Sequence, residues 1–297
     1  MKFKFHTLSE LETILHAEAV SPEDYMVKRE AFIAGISEEN VLSELDRRIA
    51  VTRSALLKGL ENPQYSRSGL TKGAAVSFAS SNKGLIQHTL YRKAVAYSLS
   101  INEVNACGGK IAAFPTAGSS GIVPGTIWAW WDAKEEPIET PYASRLRGAF
   151  LIASLAGVLI AQGATLAGSE GGCQAECGAA GAMAAAGLGY LEGLSLKDCF
   201  SAAALSLKNS LGLACDPVAG LVEVPCVKRN AFLAVNVLVA VDLTISGIQS
   251  VIPFDEVVGA MKQIGDVMPA CIKENATGGL AITPTGLAFK ETLDQYT

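Results

Sequence analysis

Four of the seven cysteines fall in two stretches rich in glycine and proline, SEGGCQAECG (169–178) and CDPVAGLVEVPC (215–226). Cys173 follows two glycines at the predicted opening of a helix, where amide groups and the helix dipole favour a thiolate over a thiol. Cys215 is expected at the end of another helix, with Asp216-Pro217 turning the chain away. Thiolates held among glycines suit a metal, and an iron–sulfur cluster in particular, because backbone donors tune cluster sulfurs. The spacing does not separate zinc from iron–sulfur, since the chain has neither a C-x-x-C pair nor a ferredoxin run. Cys107, Cys199 and Cys271 stand apart and read as small apolar residues. An odd cysteine count and a start without a secretory leader lead to the expectation of reduced thiols and a cytosolic chain.

The second candidate is ACGGKIAAFPTAGSSGIVPG (106–125), whose five glycines and two prolines exclude an uninterrupted helix. It is almost uncharged, so its backbone N–H groups need partners inside the protein or in a ligand. Other chemistries find little support. The three histidines, His6, His16 and His88, sit in no motif, and no G-x-S-x-G elbow exists. Gly118-Ser119-Ser120-Gly121 lacks the lysine and spacing of a phosphate loop, and Gly187-Leu188-Gly189 lies in a helical run rather than after a strand.

The elements that must position these residues are helices. Capping patterns start at Ser9, Ser21 and Ser37, and Val41, Leu42, Leu45, Ile49 and Leu56 recur at helical spacing on a charged background. Helices are predicted at 144–167, 173–192, 195–211, 229–249 and 254–267, while 61–83 is broken by Pro63, Gly69 and Gly73. Strand alternation is nearly absent, so the fold class is all-α: one catalytic helical domain over 1–297, with polar N-terminal helices (1–60) packed on a Gly/Ala-rich buried bundle. Residues 148–168 are uncharged for the length of a membrane span, but their small side chains, without an aromatic belt, indicate a buried helix and no membrane. A net charge of −5 and no basic run beyond pairs such as Arg47-Arg48 argue against nucleic acid and a polybasic anchor.

With these motifs in hand, the chain resembles a known family. SRSGLTKG (66–73), NEVNACGGKIAAFPTAGSSGIVPG (102–125), SEGGCQAECG (169–178), CDPVAGLVEVPCVKRNA (215–231) and MPACIKENATGGLAITPTG (268–286) are similar, in order, to the α chain of the iron–sulfur-dependent bacterial L-serine dehydratases. The resemblance implies a [4Fe–4S] cluster on three cysteines with one iron open, and carries the ligands to Cys173, Cys215 and Cys226. It also implies L-serine as substrate, pyruvate and ammonia as products, and a separate β subunit. Cys177 is not required by the family pattern, and Cys107-Gly108-Gly109 replaces a bulkier stretch.

The chemistry then asks for particular groups. Hydroxide leaves poorly, so an open iron acting as a Lewis acid is expected to take up its charge. The substrate carboxylate needs donors, for which the backbone and hydroxyls of Thr116, Ala117, Gly118, Ser119 and Ser120 are the first candidates. Ser66, Ser68 and Lys72 form a second set. The base is expected to be Lys72 or Lys110 with a pKa lowered by burial, or a residue of another chain. The partner is expected across a face bearing 66–73 and 116–121, with an apolar patch larger than a monomer usually shows. Two other readings stand beside this one: β-elimination of sulfide from cysteine on the same cluster, and a non-catalytic metal–thiolate protein such as a redox sensor.

Overall fold

A computed structural model describes residues 3–295, with thirteen α-helices and no β-strand among them. The first three are α1 (Leu8–Glu18), α2 (Pro22–Ala34) and α3 (Glu38–Glu61). Ser21 and Ser37 cap α2 and α3 as expected, accepting from the amides of Asp24 and Asn40. Thr7, rather than Ser9, caps α1, because Thr7 Oγ1 reaches the Glu10 amide while the Leu8 amide binds Asp255 Oδ2 at 2.9 Å. These helices are not an appendage: Phe5, Leu11, Tyr25, Met26, Ile49 and Leu56 belong to the main core. Arg147 grips Asp46 through two hydrogen bonds of 2.7 and 2.5 Å, tying α3 to the bundle.

The bundle comprises α5 (Thr89–Ala106), α6 (Ile122–Ala133), α7 (Ser144–Gly163), α9 (Ala179–Leu191), α10 (Leu196–Lys208) and α11 (Cys226–Ile245). Two short helices, α4 (Ala74–Ser80) and α8 (Gly168–Gly171), lie between them, and α12 (Phe254–Val267) and α13 (Pro284–Asp294) close the chain. The stretch 61–83, read as irregular, thus contains α4, whose first amides are capped by the buried Glu103 carboxylate. Helix α7 is long and apolar enough to cross a membrane, yet 67% of it is buried inside the protein.

Helix α9, AAGAMAAAGLGYL, sits at the centre against α6, α7, α10 and α11. Its small side chains let backbones approach closely. A Cβ at Gly187 would lie 2.6 Å from the Ala149 carbonyl of α7, and one at Gly148 would lie 2.4 Å from the Tyr190 hydroxyl. By contrast, a Cβ at Gly259 of α12 meets nothing within 4 Å. Gly187→Ala should therefore destabilise the fold by about 1–3 kcal/mol through overpacking. Gly259→Ala should stabilise it by up to about 1 kcal/mol through helix propensity. Denaturant unfolding of the two variants beside the parent checks both signs.

Candidate functional site

Three separated segments bring Cys173, Cys177, Cys215 and Cys226 to one small cavity, which Gly118, Glu176, Gly220, Val222 and Glu274 also line. Cys173 precedes a single π-helical turn, Gln174–Gly178, and regular helix begins only at Ala179. Such turns widen a helix and recur at functional sites. Gly172 makes the entry with φ +72°, and a Cβ there would strike the Met268 sulfur at 2.5 Å. Buried Gln174 then locks the turn: it donates to the Met261 carbonyl at 2.9 Å and accepts from the Gly212 amide at 2.9 Å.

Cys215 does not end a helix, since α10 stops at Lys208. Instead it pairs with the closing segment: its amide donates to Ile272 O at 2.9 Å, and its carbonyl accepts from the Glu274 amide at 2.7 Å. That pairing holds Glu274 at the cavity in a left-handed conformation, φ +65°. Asp216 fixes the same segment by accepting from the Leu280 amide at 2.8 Å. Cys226 is the first residue of α11.

The fourth wall is the 116–121 loop. Asn230 Nδ2 donates to Gly118 O at 2.8 Å and to Cys226 O at 2.9 Å, while its Oδ1 accepts from the Gly121 amide at 3.0 Å. Asn102 Nδ2 also donates to Gly118 O, at 2.9 Å. Ser119 is buried, with Oγ 3.1 Å from the Thr116 hydroxyl and 3.2 Å from Phe114 O. Ser120 is also buried, and its hydroxyl has no protein partner among the described residues. The Thr116 hydroxyl favours the ionised form of Glu176. Among the described residues, the amides of Ala117, Gly118 and Ser119 donate to no protein acceptor.

The thiols are not equivalent. Cys173 is held well below the ordinary thiol range, because the thiols of Cys177 and Cys215 bond to it and the Arg229 guanidinium lies beside it. Cys177 and Cys215 are pushed up by that same bonding to Cys173 and by burial. Burial and the Cys173 charge push Cys226 up to about 12. Glu176 is raised to about 7 by burial and by the Cys173 thiolate, and its Oε2 is 3.5 Å from the Cys215 sulfur. Of the four thiols, Cys173 is the one whose surroundings favour ionisation, and Arg229 adds to that effect.

The other sequence candidates lie elsewhere. Ser66 and Ser68 bond to each other at 2.9 Å, and Ser68 donates to Glu223 at 2.6 Å; Thr71 donates to the other Glu223 oxygen, also at 2.6 Å. Ser68 and Glu223 line a separate cavity of about 700 Å³ with Tyr65, Arg67 and Cys107. The chain between Pro217 and Glu223 separates the two cavities: Pro217, Gly220 and Val222 face the thiols, and Ala219, Leu221 and Glu223 face the larger space. Lys72 and Lys110 are exposed and line neither. Thr116, Ala117, Ser119 and Ser120 stay within the loop, and Gly118 is its member on the cavity wall.

Comparison with known proteins fits this architecture. Residues 8–281 match the model of the serine dehydratase alpha chain. A probable L-serine dehydratase alpha chain of Bacillus subtilis is 42% identical over 95% of this chain and 93% of its own. The L-serine dehydratase alpha chain of Peptoniphilus asaccharolyticus is 37% identical over 95% of each. The chain belongs to the serine dehydratase alpha-chain family. An L-serine dehydratase of Streptomyces coelicolor is 30% identical over 95% of this chain but only 62% of its own length.

Several residues lining or beside this thiol-lined cavity were not picked out by sequence reasoning: Gln174, Glu176, Arg229, Asn230 and Glu274. A signal existed for two of them, since Glu176 and Arg229 each follow a cysteine by three residues, about one helical turn. Asn230 makes two hydrogen bonds that join the loop to α11, to Gly118 O and from the Gly121 amide, and a third to Cys226 O within α11. Asn230→Ala should lower the unfolding free energy by about 1–3 kcal/mol, as the Gly121 amide loses its acceptor. Amide hydrogen exchange should show faster exchange at Gly121 than in the parent.

Proposed function

We propose that the chain is the alpha component of an L-serine dehydratase, an ammonia-lyase that converts L-serine to pyruvate and ammonia. The observation that carries this reading is the meeting of Cys173, Cys215 and Cys226 with Gly118 of the 116–121 loop at one cavity, in a chain of this family. The proposed cofactor is a [4Fe–4S] cluster on those three cysteines. Its fit rests on donor chemistry: buried thiols from three segments, a guanidinium to offset thiolate charge, and glycines on two walls. Among the described residues no group of His, Cys, Asp and Glu forms a single-ion site. The space between these groups is about 30 Å³.

When bound, the cluster supplies a Lewis-acidic iron for the departing hydroxide. The chain's own groups do the rest. The backbone and hydroxyls of the 116–120 loop, whose Gly118 lines the cavity, are proposed to take the substrate carboxylate. Thr116 is proposed to orient Glu176 there. With Lys72 and Lys110 outside the cavity, the group that removes the α-proton is proposed to come from a β partner chain. Support comes from the alpha-chain designation of two relatives and from the greater length of the Streptomyces relative. Seven free cysteines support a reducing, cytosolic setting.

Anaerobic reconstitution with iron and sulfide, with and without the partner chain, tests the reading. Cys173→Ala, Cys215→Ala and Cys226→Ala should each lose bound iron and pyruvate formation, whereas Cys199→Ala and Cys271→Ala should keep their iron. Full iron in any of the first three would mean the wrong thiols were chosen. Sulfide release from L-cysteine outpacing pyruvate formation from L-serine would move the reading to a desulfidase.

A further inference from the structure

We propose that Arg229 is a positioning residue for the thiol cavity: its guanidinium fixes Cys215 relative to Cys226, so that both sulfurs serve one metal centre. This role rests on the cluster reading and adds to it a group outside the set of ligands. Arg229 follows Cys226 by three residues on α11, about one helical turn. From there Nη1 donates to the Ala214 carbonyl at 2.8 Å, and Nη2 lies 3.8 Å from Asp216 Oδ1. Ala214 and Asp216 are the residues on either side of Cys215. One planar side chain thus grips the chain on both sides of one cysteine, from the helix that begins with another.

Cys215 needs such a grip because it lies in the irregular connection between α10 and α11, outside any helix. Other fasteners tie this connection elsewhere. Gln174 holds it to the turn of Cys173, donating its amide to Leu213 O at 3.1 Å and accepting from the Gly212 amide at 2.9 Å. The backbone of Cys215 itself pairs with Ile272 and Glu274 of the closing segment. Neither fastener reaches α11. Among the described residues, Arg229 supplies the polar link from 214–216 to that helix. The acidic end of the grip is shaped to receive it. Asp216 is buried, and its Oδ2 accepts from the Leu280 amide at 2.8 Å, while Oδ1 has no hydrogen-bond partner among the described residues. A buried carboxylate oxygen without a donor is destabilising unless a cation stands close, and Arg229 is that cation. A lysine would keep the charge but offers one ammonium in place of the fork, which separates position from charge.

The experiment uses the reconstituted enzyme with its partner chain. It reads the rate of iron release to an external ferrous chelator, the reduction potential of the bound cluster, and amide hydrogen exchange. Arg229→Lys and Arg229→Gln should each release iron on the order of tenfold faster than the parent. The potential, which follows local charge, should stay at the parent value in Arg229→Lys and fall in Arg229→Gln. Gly187→Ala, which overpacks the contact between α7 and α9 without touching the Cys215 segment, is the destabilised control and should release iron at the parent rate. Exchange at the Cys215 and Glu274 amides should quicken in Arg229→Lys, while α7 exchanges as in the parent. Parent-like iron release in Arg229→Lys would overturn the proposal, because charge alone would then suffice. Equal acceleration in Gly187→Ala would overturn it as well, because lost stability would then explain the effect. Should Arg229→Gln fail to fold, Arg229→Lys decides. A parent that takes up no iron would sink the cluster reading, whereas exchange at Cys215 and Glu274 needs no metal and judges the grip alone.

Discussion

The meeting of four buried thiols from separated segments at one small cavity is the constraint on which the rest of the structure depends. Burial opposes ionisation of such thiols. At Cys173 the neighbouring thiols and the Arg229 guanidinium act in the opposite direction. These groups come from different parts of the chain, so they meet only if α9, α11 and the connection through Cys215 keep their mutual positions. The small-residue helix α9 makes this possible, because α7 approaches it closely, with its Ala149 backbone against Gly187 and its Gly148 against the Tyr190 ring. A close-packed interior of this kind has little room to adjust, and that stiffness fixes the distances at the site.

Amide side chains and carboxylates act as the fasteners between packed helices and irregular loops. Asn230 fixes the 116–121 loop, Gln174 fixes the π turn, and Glu103 caps α4. Glu223 gathers Ser68 and Thr71 from the neighbouring loop. All four are buried polar groups. Their hydrogen bonds reach loop backbones or hydroxyls that a hydrophobic contact could not hold in register. This explains how so irregular a set of loops, rich in glycine, is positioned without a sheet.

Features encoded locally were legible in the sequence, and features encoded at long range were not. The helical class, the caps at Ser21 and Ser37 and the boundaries of α12 follow from residues within one or two turns. At α1 the cap is Thr7 rather than Ser9, and the neighbouring Leu8 amide is taken by Asp255, far along the chain, which no local pattern shows. Helix α4 was hidden for the same reason, since its cap is Glu103 rather than a residue of its own segment. At the site, the cysteines advertised themselves by type and by their glycine-rich settings. Glu274 could not, because only pairing with Cys215 brings it to the cavity. The pairing of Ser68 with Glu223, with Ser66 bonded to Ser68, spans more than 150 residues and was likewise not legible locally.

The wall formed by 217–223 adds a final step. It presents Gly220 and Val222 to the thiols and Glu223 to the larger cavity, and it leads directly into Cys226 at the start of α11. Its backbone closes on itself, with the Val218 amide donating to Val224 O at 2.9 Å, while Ala219 adopts φ +54°. On its far side Glu223 is held by the hydroxyls of Ser68 and Thr71, each 2.6 Å from one of its oxygens. The segment 66–73 thus meets the 217–223 wall at Glu223 and not at the thiols.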